Sequence, residues 1–154
     1  KWLGIIWAAN CIGIVLMQPL MLRWLDGRSP IKALTQVGFI WATSWALVAL
    51  TLVSPWIYLL PLLVLSSIVF GVGETIWSPT LPTVVNQLTP DHIRGRSNSV
   101  MSLQWAVAGV LGAPIAGFMF DAGLAKYWVW AMILGCLLPV SLISKVKLPQ
   151  VTEK

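Results

Sequence analysis

Charge is what this sequence has least of. Its 154 residues include ten Lys and Arg, five Asp and Glu and one His, so only 10% are charged. A soluble domain carries about a quarter, and a water-facing globular surface is excluded. Cysteine is almost as scarce. Cys11 and Cys136 both fall inside apolar runs, where a disulfide is not expected and a thiol packs as a small apolar group. The lone histidine, His92, has no second metal ligand near it, and a zinc site needs three or four. There is no Ser–His–Asp arrangement, phosphate loop or pair of acids within the apolar runs. The reading therefore assigns no catalytic residue, no metal and no cofactor, and the chain is not expected to be an enzyme.

What is abundant is apolar. Hydrophobic residues make up 58% of the chain and the mean hydropathy is +0.84. They come in five long runs, 2–22, 33–53, 56–77, 100–120 and 127–143. Crossing about 30 Å of hydrocarbon takes roughly 20 mostly apolar residues. Lipid offers the backbone no hydrogen-bond partner, so each run must be a helix. The expected fold class is all-α, a multi-pass transmembrane helical bundle whose direct partner is the lipid bilayer. The first run follows Lys1 as a signal peptide would, but it is long, carries Asn10 and Gln18 and has no small-residue cleavage site. An odd number of spans and no initiating Met fit the tail of a longer protein.

The net charge of +5 is explained by topology rather than by nucleic acid. Arg23, Arg28, Lys32, Arg94, Arg96, Lys145, Lys147 and Lys154 fall on one side, and only Lys1 and Lys126 on the other. The positive-inside rule puts the 23–32 and 90–98 connections and the C-terminus in the cytoplasm. Trp2, Trp56, Tyr58, Tyr127, Trp128 and Trp130 then line the outer interface. Glu74, in "FGVGETIWSPTLP", is the one charged residue between Lys32 and Asp91. At about 1.5 Å per residue from Trp56 it lies about 27 Å in, near the cytoplasmic edge, where a carboxylate costs least.

The loop "RWLDGRSPIK" gathers Arg23, Asp26 and Arg28 around Gly27 and Pro30, a short stiff turn. Thr89 resembles a helix N-cap, with Pro90 first in the helix and Asp91 favouring its dipole. Arg94 and Arg96 flank Gly95 before the fourth run. That run is rich in small residues. Gly109, Gly112 and Gly117, with Ala108, Ala113 and Ala116, repeat at four-residue spacing, which lets another helix approach closely. Pro114 adds a bend point. Of the polar residues within the runs, Asn10 and Gln104 are the first candidates to line a polar cavity; interhelical hydrogen bonding alone accounts for them equally well.

These motifs resemble the C-terminal half of a major facilitator superfamily transporter, particularly the drug:proton antiporter branch. "NCIGIVLMQPLMLRWLDGRSPIKAL" is similar to family helix eight and the loop after it. That loop is a weakened copy of the G-x-x-x-D-R-x-G-R signature: Asp26 and Arg28 supply its acid and base, and the leading Gly is missing. "FGVGETIWSPTLPTVVNQLTPDHIRGRSNSV" resembles helix ten and the following Arg-Gly-Arg loop. "GVLGAPIAGFMFD" resembles the family's G-x-x-x-G-P pattern, with Ala113 and Ala116 where Gly is usual. The resemblance implies five spans, helices eight to twelve, of a twelve-helix fold whose halves rock about a central site. It implies cavity roles for Asn10, Ser66, Ser67 and Gln104. It also implies a cytoplasmic charge network of Arg23, Asp26, Arg28, Glu74, Arg94 and Arg96, with Glu74 paired to Arg23 or Arg28 as a latch.

The function this implies is alternating-access secondary transport in the plasma (cell inner) membrane. The expected activity is proton-coupled efflux of a small hydrophobic or amphipathic molecule, completed by an N-terminal half of the same chain. A non-transporting membrane scaffold or assembly protein is the alternative from another class, and a membrane enzyme a weaker third. Upstream sequence discriminates them: a transporter requires about seven more spans there, and a soluble domain would contradict it.

Overall fold

Pro30 shows how local chemistry sets the helix boundaries. Ser29 before it is extended (φ −64°, ψ 124°) and its carbonyl accepts the first helical bond, from Ala33 N at 3.1 Å. Proline disfavours the helical region for the preceding residue and tolerates the first helical position. The computed structural model describes residues 2–146. Its helices are α1 (Trp2–Leu25), α2 (Pro30–Thr51), α3 (Leu59–Leu88), α4 (Arg94–Asp121) and α5 (Ala125–Ile143). Single 3-10 turns, Trp56–Tyr58 and Asp91–Ile93, lead into α3 and α4. All five helices are long and apolar enough to cross a membrane. Lys1, Lys147 and Lys154, part of the charge asymmetry, lie outside the described residues.

The helices outrun the apolar runs that announced them, because backbone hydrogen bonding continues into polar sequence. The third run ends at Trp77, yet α3 reaches Leu88 despite Pro79 and Pro82. At the next connection Thr89 is extended (φ −106°, ψ 126°), Pro90 caps the 3-10 turn, and α4 begins only at Arg94. The helix start expected at Thr89 and Pro90 is thus displaced by one short turn. Gly27 (φ +71°) and Gly123 (φ +72°) supply the two left-handed positions among the described residues. At Gly123 the N–H of Leu124 reaches Met119 O at 2.8 Å and that of Gly123 reaches Phe120 O at 3.0 Å, a Schellman ending.

The helices pack in the order α1, α3, α2, α5. Ile6 beside Ser67 and Asn10 beside Glu74 show that α1 and α3 run the same way. α2 runs opposite to α3, with Ser44 beside Ser66 and Ile31 and Leu34 beside Val84. Ala33, Val37 and Ile76 form the core between them, closed by Trp24, Trp41 and Trp77. α5 docks on α2 through Ala42, Val129 and Ile133. Gly38 permits this approach, since a Cβ there would stand 2.8 Å from Cys136 O and collide with Val140.

α4 stands apart. None of its residues is buried, and a Cβ at Gly109, Gly112 or Gly117 would meet nothing within 4 Å. The small-residue stripe therefore faces open space, and no described helix uses it or the bend point at Pro114.

Candidate functional site

Glu74 lies at the middle of its helix. Fifteen residues of α3 precede it and fourteen follow, and it is level with Asn10 of α1 and Trp41 of α2. Measured along the apolar run 56–77 it falls near the end, but α3 continues eleven residues past Trp77.

Two glycines shape the surroundings. At Gly71 a Cβ would sit 3.1 Å from Asn10 Nδ2, and at Gly73 it would collide with the Trp41 indole. Without those side chains, α1 and α2 reach the α3 backbone. Ser44 Oγ donates to Ser66 O at 2.8 Å, Asn10 Nδ2 to Ser67 O at 3.1 Å and Trp41 Nε1 to Phe70 O at 3.1 Å. Ser67 Oγ returns a bond to Ile6 O at 2.9 Å. The Asn10 amide also donates to Glu74 Oε2 at 3.2 Å. The buried Ser44 hydroxyl and the half-buried Asn10, Trp41 and Ser67 polar groups are thereby satisfied.

Glu74 and Phe70 are shared by two cavities displaced along α3. One, of about 300 Å³, is lined by Asn10, Ser44, Ser66 and Ser67 with Trp7 and Trp45. The other, of about 370 Å³, lies beyond Phe70 against Trp41, Trp77, Ser78, Met101 and Trp105. Glu74 is the one charged residue lining either. The second cavity has an aromatic wall. Trp41 stacks on Phe70 with centroids 5.1 Å apart and planes at 14°, and meets Trp77 at 5.2 Å and 44°.

The structure brings Asn10, Ser66 and Ser67 together as the sequence suggested, but Gln104 lines neither cavity; its neighbour Trp105 does. The charge network is dispersed. Arg23, Asp26 and Arg28 line a separate cavity with Pro79, Thr80 and Thr83. Arg28 Nε donates to Trp24 O at 2.7 Å and its guanidinium lies 4.4 Å from the Trp24 ring centroid. Arg94 pairs with Asp91, the one ion pair among the described residues. Arg96 makes no ion pair there. Glu74 thus pairs with Asn10 rather than with Arg23 or Arg28, because it lies more than a helical turn before the residues those arginines approach. Sequence reading missed Trp41, Phe70, Trp77 and Trp105. One signal was available: Phe70, Glu74, Trp77 and Leu81 recur at the four- and three-residue steps of a single helix face.

Five long apolar helices match what the sequence suggested, and comparison with known proteins agrees on the family. The model of the Major Facilitator Superfamily matches residues 3–150. The chain belongs to the major facilitator superfamily. Its helices are accordingly those of a membrane transporter family, an all-helical transmembrane bundle. Within this superfamily the chain is similar to an uncharacterized MFS-type transporter of Bacillus subtilis (strain 168), YhjO, at 29% identity over 83 residues. That match covers 54% of this chain and 20% of YhjO, so the superfamily chain spans about a fifth of its relative's length. No solved structure matches it.

Proposed function

We propose that this chain is the C-terminal part, helices eight to twelve, of a proton-coupled secondary transporter. The transporter exports a small hydrophobic or amphipathic molecule across the plasma membrane by alternating access. The observation that carries the reading is the position of Glu74, the one charged group at the junction of two cavities that extend in opposite directions along α3. A carboxylate there exchanges protons with whichever cavity is open, and protonation removes a charge that is costly in an apolar interior. Asn10 donates to Glu74 Oε2 and so ties α1 to the acid. The basic connections after α1 and α3, and the C-terminus, face the cytoplasm in this reading. Arg28 engages Trp24 at the end of α1, and Arg23 and Asp26 line a separate cavity instead of latching Glu74.

The test is substrate flux by the full-length protein in vesicles, with and without an imposed pH gradient. Glu74→Gln is expected to abolish the stimulation by the gradient while leaving substrate binding. Flux indifferent to the gradient in the unaltered protein would contradict proton coupling. Absence of any flux, in the presence of binding, would favour the scaffold.

A further inference from the structure

We propose that the cavity between the end of α1 and the start of α2, lined by Trp24, Arg28, Ser29, Lys32 and Gln36, binds the headgroup of an anionic phospholipid. The site is separate from both cavities at Glu74. It rests on the transport reading only for its place on the cytoplasmic side.

Charge sets the sign of the ligand. Arg28 and Lys32 both line the cavity and no acid does. Neither makes an ion pair among the described residues. Asp26, the acid nearest in sequence, lines the adjacent cavity, where Arg23 and Arg28 leave an excess of positive charge. The start of α2 adds to the field. It has no acid in its first turn, and its N-cap Ser29 makes no side-chain capping bond. Backbone N–H groups at such an end favour an anion. A cationic ligand would meet two like charges, and a wholly apolar one would desolvate them without a partner.

The basic groups suit a phosphate. Arg28 Nε donates to Trp24 O at 2.7 Å, and the guanidinium lies 4.4 Å from the Trp24 ring centroid. Trp24 is itself packed against the core of Ala33, Val37 and Ile76. The arginine is therefore held in position before a ligand arrives, and less freedom is lost on binding. Its terminal N–H groups remain, in the planar fork that matches phosphate oxygens. Lys32 brings a second charge, and Gln36, one turn further, an amide donor. A volume of about 250 Å³ admits a phosphate with its polar substituent, not the acyl chains of a lipid.

Those chains have a place outside the cavity. Lys32 and Gln36 begin a stripe that continues through Phe39, Thr43, Ala46 and Leu50, all exposed, at three- and four-residue steps along α2. The Thr43 hydroxyl is spent on Phe39 O at 2.9 Å, so the stripe turns apolar directly past Gln36. A free phosphate has no use for such a surface, whereas chains attached to a bound headgroup lie along it. Basic pockets between membrane helices on the cytoplasmic side are suited to anionic headgroups of the inner leaflet.

The test is native mass spectrometry of the full-length protein in detergent. It is titrated with phosphatidylglycerol, with phosphatidylcholine of the same chains, and with glycerol phosphate. Phosphatidylglycerol is expected to bind about tenfold or more tightly than phosphatidylcholine, and glycerol phosphate more weakly than phosphatidylglycerol. Lys32→Gln and Arg28→Gln should each weaken phosphatidylglycerol binding about fivefold, and Gln36→Glu, which adds an acid, at least as much. Lys32→Arg should retain binding, as should Arg96→Gln, which removes an exposed cation outside the cavity. These two variants separate the site from misfolding and from general surface charge. Equal affinity for phosphatidylcholine, unchanged binding in Lys32→Gln and Gln36→Glu, or an equal loss in Arg96→Gln would overturn the proposal. Glycerol phosphate binding as tightly as phosphatidylglycerol would also overturn it, in favour of free phosphate. Detergent offers lipid to both ends of the helices, so no outcome depends on which end is cytoplasmic or on flux. Failure here leaves the transport reading standing, and failure of that reading leaves lipid binding to be decided by this titration.

Discussion

The side-chain amide of Asn10 donates to Glu74 Oε2 at 3.2 Å and to Ser67 O at 3.1 Å, tying α1 to the middle of α3. Replacing it with leucine keeps the branched outline, with somewhat greater bulk, and removes both donors. Hydrogen bonds between membrane helices contribute about 0.6 kcal/mol on average and about 1.7 at most. Asn10→Leu is therefore expected to destabilise the protein by about 0.5–2 kcal/mol in a thermal or denaturant unfolding assay. It should also shift the pH dependence of flux. A variant that unfolds like the original with an unchanged pH profile would show that the bond does nothing at Glu74.

Gly73 and Gly109 make a contrasting pair. A methyl group at Gly73 collides with Trp41, which is already held by its bond to Phe70 O and by the stacked ring. Gly73→Ala should cost about 1–3 kcal/mol, the usual range for overpacking. At Gly109 the added methyl meets nothing, and Gly109→Ala should gain up to about 1 kcal/mol from helix propensity. A large loss at Gly109 in the full-length protein would reveal a helix seated on the stripe.

The arginines after α1 provide a negative control. Arg28 is engaged with Trp24, and Arg23 shares its cavity with Asp26, not with Glu74. Arg23→Gln and Arg28→Gln should leave the Glu74-dependent pH profile of flux in place. Stability should change by about 1 kcal/mol or less, as for exposed charged contacts. Loss of the pH profile in either variant would restore the latch.

At the contact between α2 and α5, Gly38→Ala forces the new methyl against Val140. Trimming Val140 should relieve it. A double-mutant cycle of Gly38→Ala with Val140→Ala is expected to show coupling of about 0.5–3 kcal/mol, the double variant being more stable than the sum predicts. Simple additivity would place α5 elsewhere.

The five helices were legible because an apolar run long enough to cross a bilayer has one backbone solution. The Asn10, Ser66 and Ser67 grouping came from the family resemblance, whereas Gln104, named with them, lines neither cavity. The full extent of α3 around Glu74 was not legible. Apolar length marks the hydrocarbon, whereas α3 continues to Leu88 through two prolines. The aromatic wall was legible only in part. Phe70 and Trp77 share a face with Glu74, but Trp41 and Trp105 come from α2 and α4. Only packing against Gly73 brings Trp41 in. Gly73 was read as part of a motif, and its physical reason is the indole beside it.

The docking of α5 on α2 also has a history in time. The residues of α1, α2 and α3 have all been synthesised once Leu88 is added, whereas those of α5 are complete only at Ile143. At about 5–20 residues per second, the intervening stretch takes roughly 3–11 s to synthesise. Throughout that interval the face of α2 around Gly38 and Ala42 waits uncovered in the bilayer. It is the surface on which a newborn chain meets either its own last helix or a neighbour that arrives first.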